Sequence, residues 1–367
     1  MTNDEFIMLR CVNLAKQGMG YVSPNPMVGC VIIKDGKIIA EGFHKYFGEA
    51  HAEINAINCA LTKDVELKGS TLYVNLEPCF HHGKTPPCAD KIIEHKFSKV
   101  IIGMQDPNPF VSGKSIKKLK QSGIEVISGI LENECRQLNR FFTKYITTGK
   151  PFITLKAAQT LDGKIARENY DSGNPSLREK WISSFESREL VHKMRGEYDA
   201  VLVGRKTVKY DNPELTVRHV KGRNPFRIVI DEKLSLKTDY KIYNDEFSNK
   251  TIVLTGKIRN KIKAEKLKSK KVTLLECKAK EGLIDLNDAM LKLGKMGISS
   301  IMVEGGADTY SNFLKQKLVD EVMIFLSPKV FGDGIRTFKN DFDFSENIRS
   351  VQKVGNDVLF QFQLKEY

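Results

Sequence analysis

His51-Ala52-Glu53, with Cys79 and Cys88 downstream, is the feature that any fold of this chain must accommodate. Each cysteine follows a proline, Pro78 or Pro87, and the His-x-Glu opens an apolar-periodic run. One imidazole and two thiolates can hold a Zn²⁺ and leave the fourth tetrahedral position for water. Glu53 lies beside this set without having to join it. Such a layout suits hydrolytic deamination, in which the metal brings the pKa of water towards ~7 and a glutamate carries protons to the leaving amine. The general deaminase pattern ends in Pro-Cys-x-x-Cys, whereas here eight residues, Phe80 to Pro87, separate the cysteines. A cysteine taken alone is more often a small buried hydrophobe; the conjunction is what points to a metal.

With 367 residues the chain exceeds a typical single core, and two domains are expected. No run approaches the ~20 apolar residues of a membrane span. The segment Met1 to Arg10 carries Asp4 and Glu5 and lacks the layout of a signal peptide. A cytoplasmic protein with no membrane partner is therefore expected. Seven scattered cysteines, an odd number, fit metal binding or buried thiols in a reducing compartment. The net charge of +13 admits a polyanionic partner such as RNA, or a lysine-rich surface with some cations for phosphorylated small molecules. The densest lysine crowd, Lys257 to Lys280, has no interleaved aromatic residues and reads as a solvated connection. No nucleic-acid partner is expected.

Hydrophobic periodicity predicts helices over Asp4–Lys16 and His51–Leu61, the latter burying Ile54, Ile57 and Leu61. Strands are predicted at Met27–Ile33, Ile38–Glu41, Thr71–Leu76, Lys99–Met104 and Glu125–Ser128, with Asp35-Gly36 as a hairpin turn. Cys88 opens a helix to about His95, Ser112–Gln121 is another, and Leu131–Tyr145 reads as one long helix. Two helix starts thus meet the end of one strand, where α/β folds place sites. Gly149-Lys150-Pro151 marks a boundary between domains of residues 1–147 and 151–367.

The second half restarts the pattern, with strand-like runs at Phe152–Leu155, Ala200–Val203, Arg227–Ile230, Thr251–Leu254, Val272–Leu275, Ser300–Val303, Glu321–Leu326 and Asp357–Leu364. Helical segments between several of them imply a largely parallel sheet. Glu304-Gly305-Gly306 sits between a strand and a helix, where backbone amides can approach a phosphate. Gly204-Arg205-Lys206-Thr207 occupies the same position after another strand. Asp211 to Arg218, taken alone, is an exposed turn-rich loop, and Trp181, the single tryptophan, could be a core residue. Phosphate and cofactor binding without a covalent nucleophile is the natural reading of this half.

The stretch Pro-Cys-Phe-His-His-Gly-Lys-Thr-Pro-Pro-Cys, residues 78–88, resembles the signature of the bifunctional riboflavin-biosynthesis deaminase–reductases. The resemblance extends to Ser23-Pro24-Asn25-Pro26-Met27-Val28-Gly29, His51-Ala52-Glu53, Leu161-Asp162-Gly163-Lys164, Asp211-Asn212-Pro213 and Glu304-Gly305-Gly306, in family order over nearly the whole chain. It implies an α/β protein with an N-terminal cytidine-deaminase-like α/β/α domain and a C-terminal dihydrofolate-reductase-like α/β domain. The first would release ammonia from a diamino-(phosphoribosylamino)pyrimidinone, and the second would reduce the ribosyl group with NADPH. It further implies zinc on His51, Cys79 and Cys88, and Glu53 as the catalytic proton shuttle. Ala158, Trp181, Thr207, Asp211, Gly306 and Ala307 match cofactor positions. Glu179, Arg195, Leu215, Arg218 and Glu304 match substrate positions. Glu179 stands where the family has a small serine, within a segment, residues 167–180, that departs from the family pattern. The choice of NADPH over NADH rests on the resemblance, Arg205 and Lys206 being suggestive only. A homo-oligomer acting on a phosphorylated pyrimidine is expected. The competing readings are a zinc-dependent nucleic-acid base deaminase with an accessory binding domain, against which the cysteine spacing speaks, and a metal-stabilised scaffold in which Glu53 is incidental.

Overall fold

A computed structural model of the chain describes residues 1–80, 86–167, 181–280 and 282–366, and divides into two compact units, Met1–Gly149 and Lys150–Glu366. The first unit runs α1 (Asn3–Ala15), β1 (Gly29–Lys34), β2 (Lys37–Phe43), α2 (Ala52–Leu61), β3 (Thr71–Leu76), α3 (Cys88–Glu94), β4 (Lys99–Met104), α4 (Lys114–Gln121), β5 (Glu125–Ser128), α5 (Glu132–Leu138) and α6 (Arg140–Thr148). Its sheet has the order β2-β1-β3-β4-β5. The hairpin strands β1 and β2 are antiparallel, β1 is antiparallel to β3, and β3, β4 and β5 are mutually parallel. Near-continuous apolar runs such as Val100-Ile101-Ile102 form strands buried on both faces, as parallel sheets require. α1 is locked at its start by a capping box between Thr2 and Glu5.

Two expectations for this unit need correction. Leu61 is exposed at 46% rather than buried, because α2 turns its Ala52, Ala56, Ile57 and Ala60 face to the sheet. That contact is close: a Cβ on Gly42 of β2 would sit 2.4 Å from the Ala56 nitrogen, so only glycine lets α2 approach. The long helix expected over Leu131–Tyr145 is two helices broken at Asn139. Asn139 is 1% exposed; its side-chain oxygen accepts from the Met27 N–H at 2.8 Å and its amide donates to the Met27 carbonyl at 3.1 Å. The helix yields there because a buried amide side chain is satisfied by a backbone group far along the sequence.

The second unit contains β6 (Phe152–Thr160), β7 (Lys164–Ala166), α7 (Phe185–Glu197), β8 (Ala200–Gly204), α8 (Arg205–Asp211), β9 (Phe226–Ile230), β10 (Thr251–Thr255), α9 (Lys261–Ser269), β11 (Thr273–Glu276), β12 (Ala279–Lys280), β13 (Leu283–Ile284), α10 (Leu286–Lys295), β14 (Ser300–Gly305), α11 (Ala307–Lys315), β15 (Glu321–Ser327), β16 (Ile335–Arg336), β17 (Ile348–Val354) and β18 (Asp357–Gln363). Its main sheet has the order β11-β10-β9-β8-β14-β6-β15-β18-β17. It is parallel from β11 to β15 and closes with antiparallel β18 and β17. The lysine-rich stretch is not a solvated connection: it holds α9, which buries Ala264 and Leu267 and packs on β11. Its lysines occupy the outer face of an amphipathic helix, so composition alone misread it. Among the described residues no helix is long and apolar enough to cross a membrane.

Asn139→Ala should lower the unfolding free energy by about 1–3 kcal/mol, since it leaves the buried Met27 N–H without its acceptor, while the Met27 carbonyl keeps the Asn75 amide at 3.0 Å. Urea unfolding of the two proteins checks this; a loss below about 0.5 kcal/mol would show that the kink does not depend on that side chain.

Candidate functional sites

The strand β3 ends at Leu76 and hands the chain to Glu77-Pro78-Cys79. Glu77 anchors this exit. Its buried carboxylate accepts from the amides of Asp106 at 3.2 Å, Gly113 at 2.9 Å and Ser115 at 3.2 Å, and from the Ser115 hydroxyl at 2.8 Å. Cys88 is the first residue of α3, and its amide donates to the Cys79 Sγ at 3.2 Å. His51 is the N-cap residue of α2. Its Nδ1 lies 3.6 Å from the Cys79 Sγ and 3.4 Å from the Cys88 Sγ. All three ligand atoms lie within 4.8 Å of one another, and among the described residues this is the only such group of metal-binding side chains.

The donor set can be tested against zinc geometry. Bonds of ~2.3 Å to sulfur and ~2.0–2.1 Å to nitrogen at a tetrahedral angle put nitrogen about 3.6 Å from each sulfur. The observed 3.4 and 3.6 Å match, so the residues fit the ion. Without metal these groups share protons. Hydrogen bonding to Cys79 raises the His51 pKa to about 9, and the Cys88 thiol, beside Cys79 and buried, lies well above its ordinary value. Cys79 is lowered, chiefly by its contact with Cys88 and then by His51. Glu53, in the first turn of α2 and 3% exposed, is raised to about 7 by burial and then by the charge of Cys79.

Two flanking residues escaped the sequence reading. His44 is 2% exposed, its ring 5.5 Å from that of His51 and nearly perpendicular to it. Its Nδ1 lies 3.0 Å from the Ala50 carbonyl and its Nε2 lies 3.2 Å from the Asn25 side-chain nitrogen, which fits a neutral ring that donates to Ala50 and accepts from Asn25. Asn25 belongs to the Ser23-Pro24-Asn25-Pro26 turn, so that rigid turn has a place in this site.

The second unit holds a cavity of about 1420 Å³, larger than the ~300–1,000 Å³ of a single small-molecule site. Ala158, Trp181, Thr207, Asp211, Gly306, Ala307, Arg195, Leu215, Arg218 and Glu304 all line it; Glu179 lies outside the described residues. α11 starts at Ala307 with Gly306 as its N-cap residue, directly after β14, so unpaired helix amides open on the cavity. A dinucleotide with its phosphates at that start fits both the volume and the donors. Trp181 is 40% exposed and so is no core residue. Nor is the stretch ending in Arg218 simply exposed: Leu215 and Thr216 are 3% and 5% exposed.

Glu304 is the electrostatic centre of this cavity. Its two oxygens accept from the Arg195 Nε at 2.7 Å and Nη2 at 2.8 Å, and the Lys156 Nζ lies 3.8 Å away. Burial disfavours its charge, but Arg195 and Lys156 outweigh that and hold it down at about 2. The Arg195 Nη1 also donates to the Thr216 carbonyl at 3.0 Å. His192, one turn before Arg195, accepts the Arg218 backbone N–H on Nδ1 at 3.0 Å. Burial, then Arg195 and Arg218, push His192 down to about 3, so it stays neutral and able to accept. Sequence reasoning missed Lys156 and His192. Lys156 was detectable as the one charge inside the apolar run of β6; His192 was detectable by helical spacing from Arg195.

Residues 151–360 match the family described as the RibD C-terminal domain, and residues 1–104 match the cytidine and deoxycytidylate deaminase zinc-binding region. The riboflavin biosynthesis protein RibD of Aquifex aeolicus is 42% identical over 98% of each chain. That of Escherichia coli is 38% identical over 91% of this chain and 90% of its own. Among solved structures, a diaminohydroxyphosphoribosylaminopyrimidine deaminase/5-amino-6-(5-phosphoribosylamino)uracil reductase of Thermotoga maritima superposes with a TM-score of 0.85 at 40% identity, covering 98% of both chains. RibD of Acinetobacter baumannii gives 0.84 at 32% identity over the same shares.

Zinc binding should release roughly two protons per ion near neutral pH, one from His51 and one from Cys88, because each is protonated in the metal-free cluster and must be deprotonated to bind. Affinity should therefore rise with pH, and more gently above about 9, the pKa of His51, where only Cys88 still gives up a proton. Titration calorimetry in buffers of different ionisation enthalpy measures the count, and a proton-neutral binding step would contradict this charge state.

Proposed function

The chain belongs to the bifunctional riboflavin-biosynthesis deaminase–reductase family, and on that premise we propose which of its residues carry the two reactions. It joins a cytidine-deaminase-like zinc domain to a dihydrofolate-reductase-like domain that uses NADPH. The first reaction hydrolyses an amino group of 2,5-diamino-6-(5-phosphoribosylamino)pyrimidin-4-one, and the second reduces the ribosyl group to give 5-amino-6-(5-phosphoribitylamino)uracil.

For deamination, His51, Cys79 and Cys88 are the zinc ligands; the bound ion supplies the Lewis acidity that makes water nucleophilic near neutral pH. Glu53 is the proton shuttle. Buried in the first turn of α2 beside the ligands, its carboxylate can take a proton from water and pass one to the departing amine. The single observation that carries this reading is the spacing of the His51, Cys79 and Cys88 donor atoms. His44 and Asn25 form a neutral, fixed wall beside them.

For reduction, Ala158, Trp181, Thr207, Asp211, Gly306 and Ala307 form the cofactor side of the cavity and Arg195, Leu215, Arg218 and Glu304 the substrate side. NADPH supplies the hydride for the anomeric carbon. The ring oxygen released from that carbon then needs a proton. Lys156 is placed to supply it, because burial lowers its ammonium pKa while Glu304 keeps it charged. Arg195 fixes Glu304 from one side and the Thr216 carbonyl from the other, so the substrate loop and the carboxylate keep one geometry.

We further propose a cytoplasmic homo-oligomer. Seven free thiols support a reducing compartment. The edge strand β17, with Ile348 at 56% and Val351 at 53% exposed, offers an open ladder edge for a second copy.

Glu53→Gln should reduce ammonia release by about two to four orders of magnitude with zinc still bound. Cys79→Ser should lose both zinc and deamination yet oxidise NADPH when given the deaminated intermediate. If Glu53→Gln deaminates at the normal rate, the scaffold reading returns. If intact protein does not oxidise NADPH with that intermediate, the reductase residues above are misassigned.

A further inference from the structure

The cavity of the second unit is rich in cations, and most of them already touch a carboxylate. Lys206 and Lys339 both pair with Asp308, and Arg195 and Lys156 both face Glu304. Arg218 pairs with Glu214 at 3.0 Å, but this is an exposed contact that water and a ligand can replace. Among the described residues the cavity-lining Arg188 has no carboxylate partner; the same holds for Arg167, which is exposed and stacked over Phe331.

Among the described residues Arg188 is held in place without an ion pair. One of its five N–H donors is used, by Nη1 to the Ser183 carbonyl at 2.7 Å. The guanidinium lies 4.9 Å from the Trp181 ring centroid and 5.7 Å from that of Phe185, which fix the plane of the fork. Arg188, His192 and Arg195 recur at helical spacing on α7 and all line the cavity. The Phe185 ring meets His219 edge-on at 5.6 Å, and His219 meets His192 at 4.5 Å. This aromatic cluster joins the start of α7 to the segment bearing Arg218, whose backbone His192 already holds. Arg188 and Arg218 both line this cavity, on segments that the cluster links, and Arg188 also stacks on Trp181, which is assigned above to the cofactor side.

We propose that Arg188 is a second binding residue for the substrate's phosphate monoester, acting with Arg218, while Arg195 stays engaged with Glu304. This rests on the reductase reading above. A pre-oriented guanidinium with spare donors and no counter-ion matches a dianionic phosphate better than it matches a neutral sugar or base.

The test uses the full chain, its Arg188→Met and Arg188→Lys variants, and the aminouracil ribosylamine with and without its 5′-phosphate, followed by NADPH oxidation. The readout is the ratio of kcat/KM for the phosphorylated over the unphosphorylated compound. It should fall about 10–100-fold in Arg188→Met, whose far-UV dichroism should match the parent, and be largely restored in Arg188→Lys, which keeps the charge but not the stacking. An unchanged ratio in Arg188→Met, or equal losses on both compounds, would overturn the assignment. So would a loss confined to the preference for NADPH over NADH, which would give the phosphate to the cofactor. Failure of the unmutated protein to oxidise NADPH would instead remove the reductase reading beneath it.

Discussion

What a buried glutamate is buried against decides its chemistry in both halves of this protein. Glu53 shares its surroundings with Cys79, and in the metal-free cluster desolvation and then the thiolate raise it to about 7. Glu304, its side chain 7% exposed, is desolvated too, yet Arg195 and Lys156 hold it at about 2, a permanent anion. The first carboxylate can move protons; the second can only organise cations around itself. A two-step enzyme needs both behaviours, and the chain obtains them from one residue type by choosing its neighbours.

The fold supplies those neighbours in the same way twice. In the first unit a strand end and two helix starts bring Cys79, Cys88 and His51 together, with Gly42 allowing α2 close enough for His51 to reach the sulfurs. In the second, the strand end at Gly305 and the start of α11 open on the cavity, and Glu304 is the penultimate residue of that strand. Orphan amides at helix starts and side chains at the carboxyl ends of parallel strands are where such folds can hold anions and metals. Both sites also rest on supports that touch no ligand themselves: Glu77 pins the segment before Cys79, and His192 pins the backbone of Arg218.

Much of this architecture was legible in the residues. Thr71–Leu76, Lys99–Met104 and Glu125–Ser128 are strands to the residue, because short apolar runs bounded by turn-forming residues leave little choice. The convergence of His51, Cys79 and Cys88 was legible because prolines and a helical period mark each ligand locally. What failed depended on distant partners. The break at Asn139 exists because of Met27, and the helix α9 was hidden under its own lysines. Lys156, His192 and Arg188 belong to a site only because separate elements bring Glu304, Arg218 and Trp181 to them. The lone charge in β6 and the helical spacing on α7 mark Lys156 and His192, but not the partners they meet.

The most direct test of the central claim is X-ray absorption at the zinc edge of the full-length protein. The account predicts two sulfur neighbours at about 2.3 Å and two lighter atoms at about 2.0–2.1 Å, one of them an imidazole nitrogen. Four sulfurs, or a shell of light atoms alone, would contradict it, because Cys79, Cys88 and His51 could not then be the ligand set.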